Sequence, residues 1–127
     1  MATVYVNENG VAINGYDPVA YFEGSPQAGR ADITSAYNGA TYYFTSEDHK
    51  ARFEAAPEQF APAYGGFCAT AMADGHEVPT NPETYKITDG RLYLFYNGKD
   101  GNTLPVWEAN EAELRARSDA QWAQKSR

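Results

Sequence analysis

Cysteine occurs once in the 127 residues and histidine only twice. A single thiol cannot close an intramolecular disulfide, so the fold owes nothing to cross-links. The chain also lacks Cys-x-x-Cys, His-Glu-x-x-His, a phosphate-binding glycine loop and a Gly-x-Ser-x-Gly elbow, which removes the commoner metalloprotease, nucleotide and serine-hydrolase readings. No stretch approaches the roughly 18 consecutive apolar residues that span a bilayer, so no membrane insertion is expected. Basic residues are sparse as well: 10 against 17 acids give a formal charge of −7, which repels phosphate backbones and anionic lipid, so no nucleic-acid partner is expected. The opening "MATVYVNENGVAINGYDP" has neither the charged nor the apolar region of a signal peptide. The chain as given is expected to be soluble, in the cytoplasm, or in the periplasm if a leader has been removed.

Aromatic residues, by contrast, are plentiful. Ten tyrosines, six phenylalanines and two tryptophans, in a chain that is 43% hydrophobic, suffice for one core without staples, and residues 1–127 are expected to form one domain. Punctuation along the chain predicts an α+β fold. "ITSAYNGATYYFT" and "TYKITDGRLYLFYN" each place two β-favouring runs around a dipeptide suited to a type I′ turn, Asn38-Gly39 and Asp89-Gly90. In the second, Tyr85, Ile87, Leu92, Leu94 and Tyr96 alternate as expected for one buried face. Asp17-Pro18 starts a short helix carrying Val19, Ala20, Tyr21 and Phe22; Ser46 caps a second, and Pro57 opens a third piece ending near Phe60. "VWEANEAELRARSDAQWAQKSR" predicts a C-terminal helix over about 105–126, with Val106, Trp107, Leu114 and Trp122 as a sparse apolar stripe. No internal repeat is expected, and the two hairpins are alike only in turn chemistry.

The lone thiol lies in "YGGFCATAM". Gly65-Gly66 permits unusual backbone angles and close approach, and the run after it is helix-compatible as far as Gly75, so Cys68 is placed in a helical first turn that favours a thiolate. Such a sulfur is a nucleophile, a metal ligand or, because free cysteine is commonly buried, a packed core residue. His49 falls one turn before Phe53 on a face that looks into the core or a cleft. His76, in "DGHEVP", is expected to be a solvent-exposed loop residue. Cys68 and Met72, four apart, share a helix face as either a soft sulfur pair or core filler.

The segments "INGYDPVAYF", "YNGATYYFTSEDHKARFEAAPEQFAPAYGGFCA" and "ITDGRLYLFYN", in this order, resemble the YHS-domain family, in the longer bacterial branch with GYDPVAYF and a YGG-aromatic-CA segment. The resemblance covers about residues 12–97. It implies a small treble-clef-like domain with two β-hairpins, short helices and a C-terminal helix, and it implies metal handling. Shorter members carry three cysteines where this chain has Ala20, Thr45 and His49. What remains at matching positions is Asp17, His49 and Cys68, all competent ligands for copper or zinc. The resemblance thus implies a metal-binding domain that stores, senses or delivers the ion through Cys68 and His49, with Asp17 as a third or outer group. Tyr16, Tyr21, Tyr43, Tyr64 and Phe67 are expected to wall it, and a protein metal donor or acceptor is the implied partner. Two other classes stay open: a thiol enzyme or redox sensor with a Cys68/His49 dyad, and a non-catalytic interaction domain in which both residues only pack.

Overall fold

A computed structural model describes residues 4–125. Strands β1 (Arg30–Tyr37) and β2 (Ala40–Phe44) form one antiparallel hairpin. Helix α1 (Glu47–Ala55), α2 (Pro57–Phe60) and α3 (Ala69–Met72) lead to a second hairpin, β3 (Asn81–Thr88) with β4 (Arg91–Phe95). A short pair, β5 (Asn97–Gly98) and β6 (Gly101–Asn102), precedes α4 (Leu104–Ala109) and α5 (Glu111–Lys125). The fold is α+β, with helices set among small antiparallel pairs. Both long hairpins turn as their dipeptides require: Asn38 and Gly39 have φ of 52° and 83°, Asp89 and Gly90 have 53° and 78°, the two positive angles of a type I′ turn. Ser46 caps α1 by accepting the His49 N–H at 3.1 Å, which fixes where the His49 side chain begins.

Contrary to the expectation of no repeat, the chain runs twice through the same sequence of structures at a constant spacing of 51 residues. Strands 30–37 and 40–44 recur as 81–88 and 91–95. Each long strand bulges at the same place, between Arg30 and Thr34 in β1 and between Asn81 and Tyr85 in β3. Ahead of the hairpins, Ile13, Asn14 and Gly15 have φ of 54°, 51° and 89°, and Tyr64, Gly65 and Gly66 have 58°, 63° and 85°. The Asp17 N–H donates to the Gln27 carbonyl at 2.8 Å, and the Cys68 N–H to the Val78 carbonyl at 2.9 Å. Asp17 and Cys68 are therefore structural counterparts, one in each half. After the hairpins the spacing widens because β5 and β6 intervene; α1 follows Ser46 and α4 follows Thr103.

Two aromatic clusters make the core. Tyr42, Phe44 and Phe53 centre the first, with Leu92 and Leu94 reaching it from the second hairpin. Tyr64, Met72, Tyr93, Phe95 and Trp107 centre the other. Strand β4 is consequently buried on both faces, Leu92 and Leu94 toward one cluster and Tyr93 and Phe95 toward the other, where the alternation read from sequence predicted one face. Tyr96 does not continue the stripe; its hydroxyl meets Asp100. The expected C-terminal helix is divided at Asn110, whose φ of −142° is not helical. Of its stripe, Trp107 and Leu114 are buried, but Val106 is 53% exposed; Ser126, its expected end, lies outside the described residues. Among the described residues no helix is long and apolar enough to cross a membrane.

A close backbone approach at Gly29 packs the lead-in to β1 against the first hairpin. The Gly29 N–H donates to the Gly15 carbonyl at 2.8 Å, and a Cβ at Gly29 would lie 2.5 Å from the Tyr43 carbonyl carbon and 2.6 Å from the Phe44 nitrogen. Gly29→Ala is expected to destabilise the protein by about 1–3 kcal/mol, the cost of overpacking a site that cannot yield. A urea titration checks it; an unchanged midpoint would show that the loop gives way freely.

Candidate metal centre

The N-cap geometry of α1 and the turn after Asp17 bring two sequence-predicted residues into contact. Asp17 is fully buried. Its Oδ1 accepts the N–H groups of Val19 at 2.8 Å and Ala20 at 3.3 Å, which is how an aspartate just ahead of Pro18 starts the short 3-10 turn Ala20–Glu23. Its Oδ2 accepts the Thr45 N–H at 2.8 Å and hydroxyl at 2.9 Å, and lies 2.6 Å from His49 Nδ1. A buried carboxylate accepts at that distance, so Nδ1 carries the proton and the tautomer is fixed.

The other ring nitrogen, Nε2, lies 3.0 Å from Glu23 Oε1, and the Arg52 guanidinium holds Glu23 Oε2 at 2.6 Å. The His49 side chain is only 12% exposed, whereas Glu23 is 49% exposed, so the Nε2 edge looks toward solvent and the Nδ1 edge toward the core. Burial by itself would disfavour the imidazolium, but the hydrogen bond and charge of Asp17, with the charge of Glu23, outweigh it and raise His49 above its ordinary value of 6.5. The Arg52 hydrogen bond first, and then the charge of His49, hold the Glu23 carboxyl below the usual range against the opposing effect of burial.

Cys68 has other hydrogen-bond partners. It is fully buried at the N-cap of α3, a single helical turn, rather than inside a longer helix reaching Gly75. Its sulfur lies 3.3 Å from Thr103 Oγ1, and Thr103 in turn donates to the Tyr96 carbonyl at 3.1 Å. Among the described residues no hydrogen bond or ion pair joins Cys68 to His49 or Asp17. His76 is exposed, as expected. Of the expected aromatic wall, Tyr21 belongs to the first cluster and Tyr64 and Phe67 to the second.

Glu23 and Arg52 are neighbours of His49 that the sequence does not point to. An acid closing a short turn and a base on an exposed helix face carry no local signal; only the proximity of the turn to α1 makes them partners of His49. Among the described residues there is no group of three or more His, Cys, Asp or Glu side chains arranged to hold a metal ion. The reason is visible in the geometry: Asp17 and Glu23 flank opposite ring nitrogens of one imidazole and do not converge on a common point. The donor set that remains open is His49 Nε2 with the neighbouring Glu23 carboxylate. Imidazole nitrogen and carboxylate oxygen suit zinc and copper, and a ligating histidine that donates its other N–H to a carboxylate is the usual outer arrangement of such centres.

Comparison with known proteins returned no match among curated proteins and none among solved structures. The family model for the YHS domain matches residues 19–64, a segment that holds Glu23, Thr45, His49 and Arg52, with Asp17 two residues ahead of it. Residues 19–64 are thus similar to the YHS domain, a type associated with metal binding.

Proposed function

We propose that the protein binds a zinc or copper ion at His49, with Nε2 and the Glu23 carboxylate as its protein donors and Asp17 as the buried group that fixes the ring. The observation that carries this is the imidazole's placement: one nitrogen locked to a buried carboxylate at 2.6 Å, the other directed at a half-exposed one at 3.0 Å. The bound ion would supply a Lewis-acidic centre at the protein surface. Two protein donors leave coordination positions for water or for a donor on another protein, which suits an ion that is stored, sensed or passed on rather than one built into the fold. Arg52 competes with the ion for Glu23, so ion binding redirects that carboxylate.

The expectation that Cys68 is a further donor remains part of the proposal as its three-donor form, and a single experiment separates the forms. Isothermal titration of the full chain with zinc, and with copper(I) under anaerobic conditions, is expected to show one site that His49→Ala abolishes. Retention of that site in Cys68→Ser gives the imidazole–carboxylate form; its loss, with the fold intact by circular dichroism, gives the form that includes the thiol. Unchanged binding in His49→Ala would end the proposal in both forms.

A further inference from the structure

A cleft of about 340 Å3 opens where the two halves of the chain meet. Tyr37 and Tyr42 of the first half face Tyr64 and Arg91 of the second across it, and Trp122 of α5 closes one side. None of Asp17, His49 and Cys68 lines it, so it is separate from the candidate metal centre. A volume of this order, aromatic walls and a few fixed polar groups are what a small-molecule site requires.

The 51-residue repeat separates the groups common to both halves from those particular to the second. Tyr42 recurs as Tyr93, a buried ring in each half. Tyr64, however, stands where the first half has Ile13, and Arg91 stands where it has Ala40. The helix that supplies Trp122 follows the second half alone. Tyr64 and Arg91, both of which line the cleft, thus differ from their first-half counterparts, whereas Tyr42 is matched by an identical residue. The φ of 58° at Tyr64 is shared by its counterpart Ile13, at 54°, so the repeated turn sets the backbone and the change of side chain alone puts an aromatic ring at the wall.

Arg91 is the fixed charge of the site. Its guanidinium carbon lies 5.7 Å from the centre of the Tyr64 ring and 5.3 Å from that of Tyr93, and its Nη1 donates to Asp119 Oδ1 at 3.2 Å. The Tyr64 hydroxyl donates to the same oxygen at 2.8 Å, so ring, carboxylate and guanidinium hold one another in place. Asp119 is engaged through Nη1 alone, which leaves the fork's other N–H groups for a second carboxylate, the group a guanidinium matches best. Glu58, the acid on the rim, is exposed on α2 and has no such fixation.

We propose that this cleft binds a small planar aromatic carboxylate, its ring against the tyrosine and Trp122 side chains and its carboxylate on Arg91. Flat apolar bodies with one anionic end satisfy both the aromatic walls and the single held cation. The inference rests on the cleft alone and stands or falls independently of metal binding.

Titration of the isotopically labelled full chain with 2-naphthoate, followed by amide and indole chemical shifts, tests it. Shifts are expected at Tyr37, Gly65, Arg91 and the Trp122 indole. The shape-matched neutral 2-naphthamide is expected to bind at least tenfold more weakly. Arg91→Gln should bring the two ligands to equal affinity by weakening the acid while leaving the amide unchanged, and Arg91→Lys should restore part of the difference. Melting curves of both variants establish that the fold is retained, and a variant that does not fold is replaced by the charge comparison on the unmodified chain, which is equally decisive. Absence of shifts at these residues at millimolar naphthoate, equal binding of acid and amide, or tighter binding of 2-naphthylmethylammonium would overturn the proposal, the last by giving Glu58 the role assigned to Arg91.

Discussion

Asp17→Ala is expected to lower the unfolding free energy by about 3–5 kcal/mol, the range observed when one member of a buried, hydrogen-bonded charge pair is removed. The side chain accepts bonds from Val19, Ala20, the Thr45 backbone and hydroxyl, and His49. Truncation leaves those donors facing a dry cavity, at about 1–3 kcal/mol for each that finds no other partner. Against a total stability of about 5–15 kcal/mol for a domain of ordinary size, such a loss is large enough to leave an appreciable unfolded fraction. Asp17→Asn keeps the shape and one acceptor oxygen, and should cost less while still releasing the His49 tautomer. His49→Ala should cost less than Asp17→Ala, because the ring lies at the surface end of the network and its removal still leaves Asp17 with four donors. Chemical denaturation of the three variants checks the order. Equal stability of Asp17→Ala and the parent would show that this carboxylate does not organise the turn and α1.

Proton competition sets the second large effect. The ion needs a neutral His49, and the ring's affinity for protons is raised above the ordinary 6.5. Zinc affinity is therefore expected to be flat at high pH and to begin falling at a pH above 6.5, then to drop about tenfold for each further unit, or roughly a hundredfold over two units. The metal-free protein should move the other way. A histidine whose folded-state value is raised contributes stability that is fully present below about 6.5 and is lost as pH rises through the folded value. Melting temperatures with chelator and with excess zinc, compared from pH 5.5 to 8.5, are expected to show the metal-induced increment growing with pH while this acid-side stabilisation fades. A zinc increment as large at pH 5.5 as at pH 8 would contradict ligation by His49.

The parts of the fold legible in the sequence were those fixed by local chemistry. Asn38-Gly39 and Asp89-Gly90 take the positive angles that their residue types permit, Ser46 caps the helix it precedes, and Pro57 opens the next turn. The contact between Asp17 and His49 is long-range, and what marked both residues was their position in matching family motifs rather than any pattern of their own. Glu23 stayed hidden because an exposed acid next to a glycine looks like any other. The repeat is hard to read from sequence although part of its signal is present: Gly15, Gly24 and Gly39 recur as Gly66, Gly75 and Gly90, and all six hold positive φ. Side chains between them have diverged, so hydropathy carries little of it. Its consequence for the lone cysteine is direct. Cys68 occupies in the second half the place that Asp17 occupies in the first, and Thr103 at the start of α4 meets it much as Thr45, ahead of α1, meets Asp17.

Nitrogen-15 NMR of the His49 ring during zinc titration addresses the metal centre at the atom concerned. The account predicts that Nδ1 stays protonated against Asp17, that the Nε2 resonance moves to a metal-bound position at one equivalent, and that His76 is unaffected. A His49 ring unchanged at saturating zinc and copper(I), or one that binds the ion through Nδ1 after losing Asp17, would contradict it.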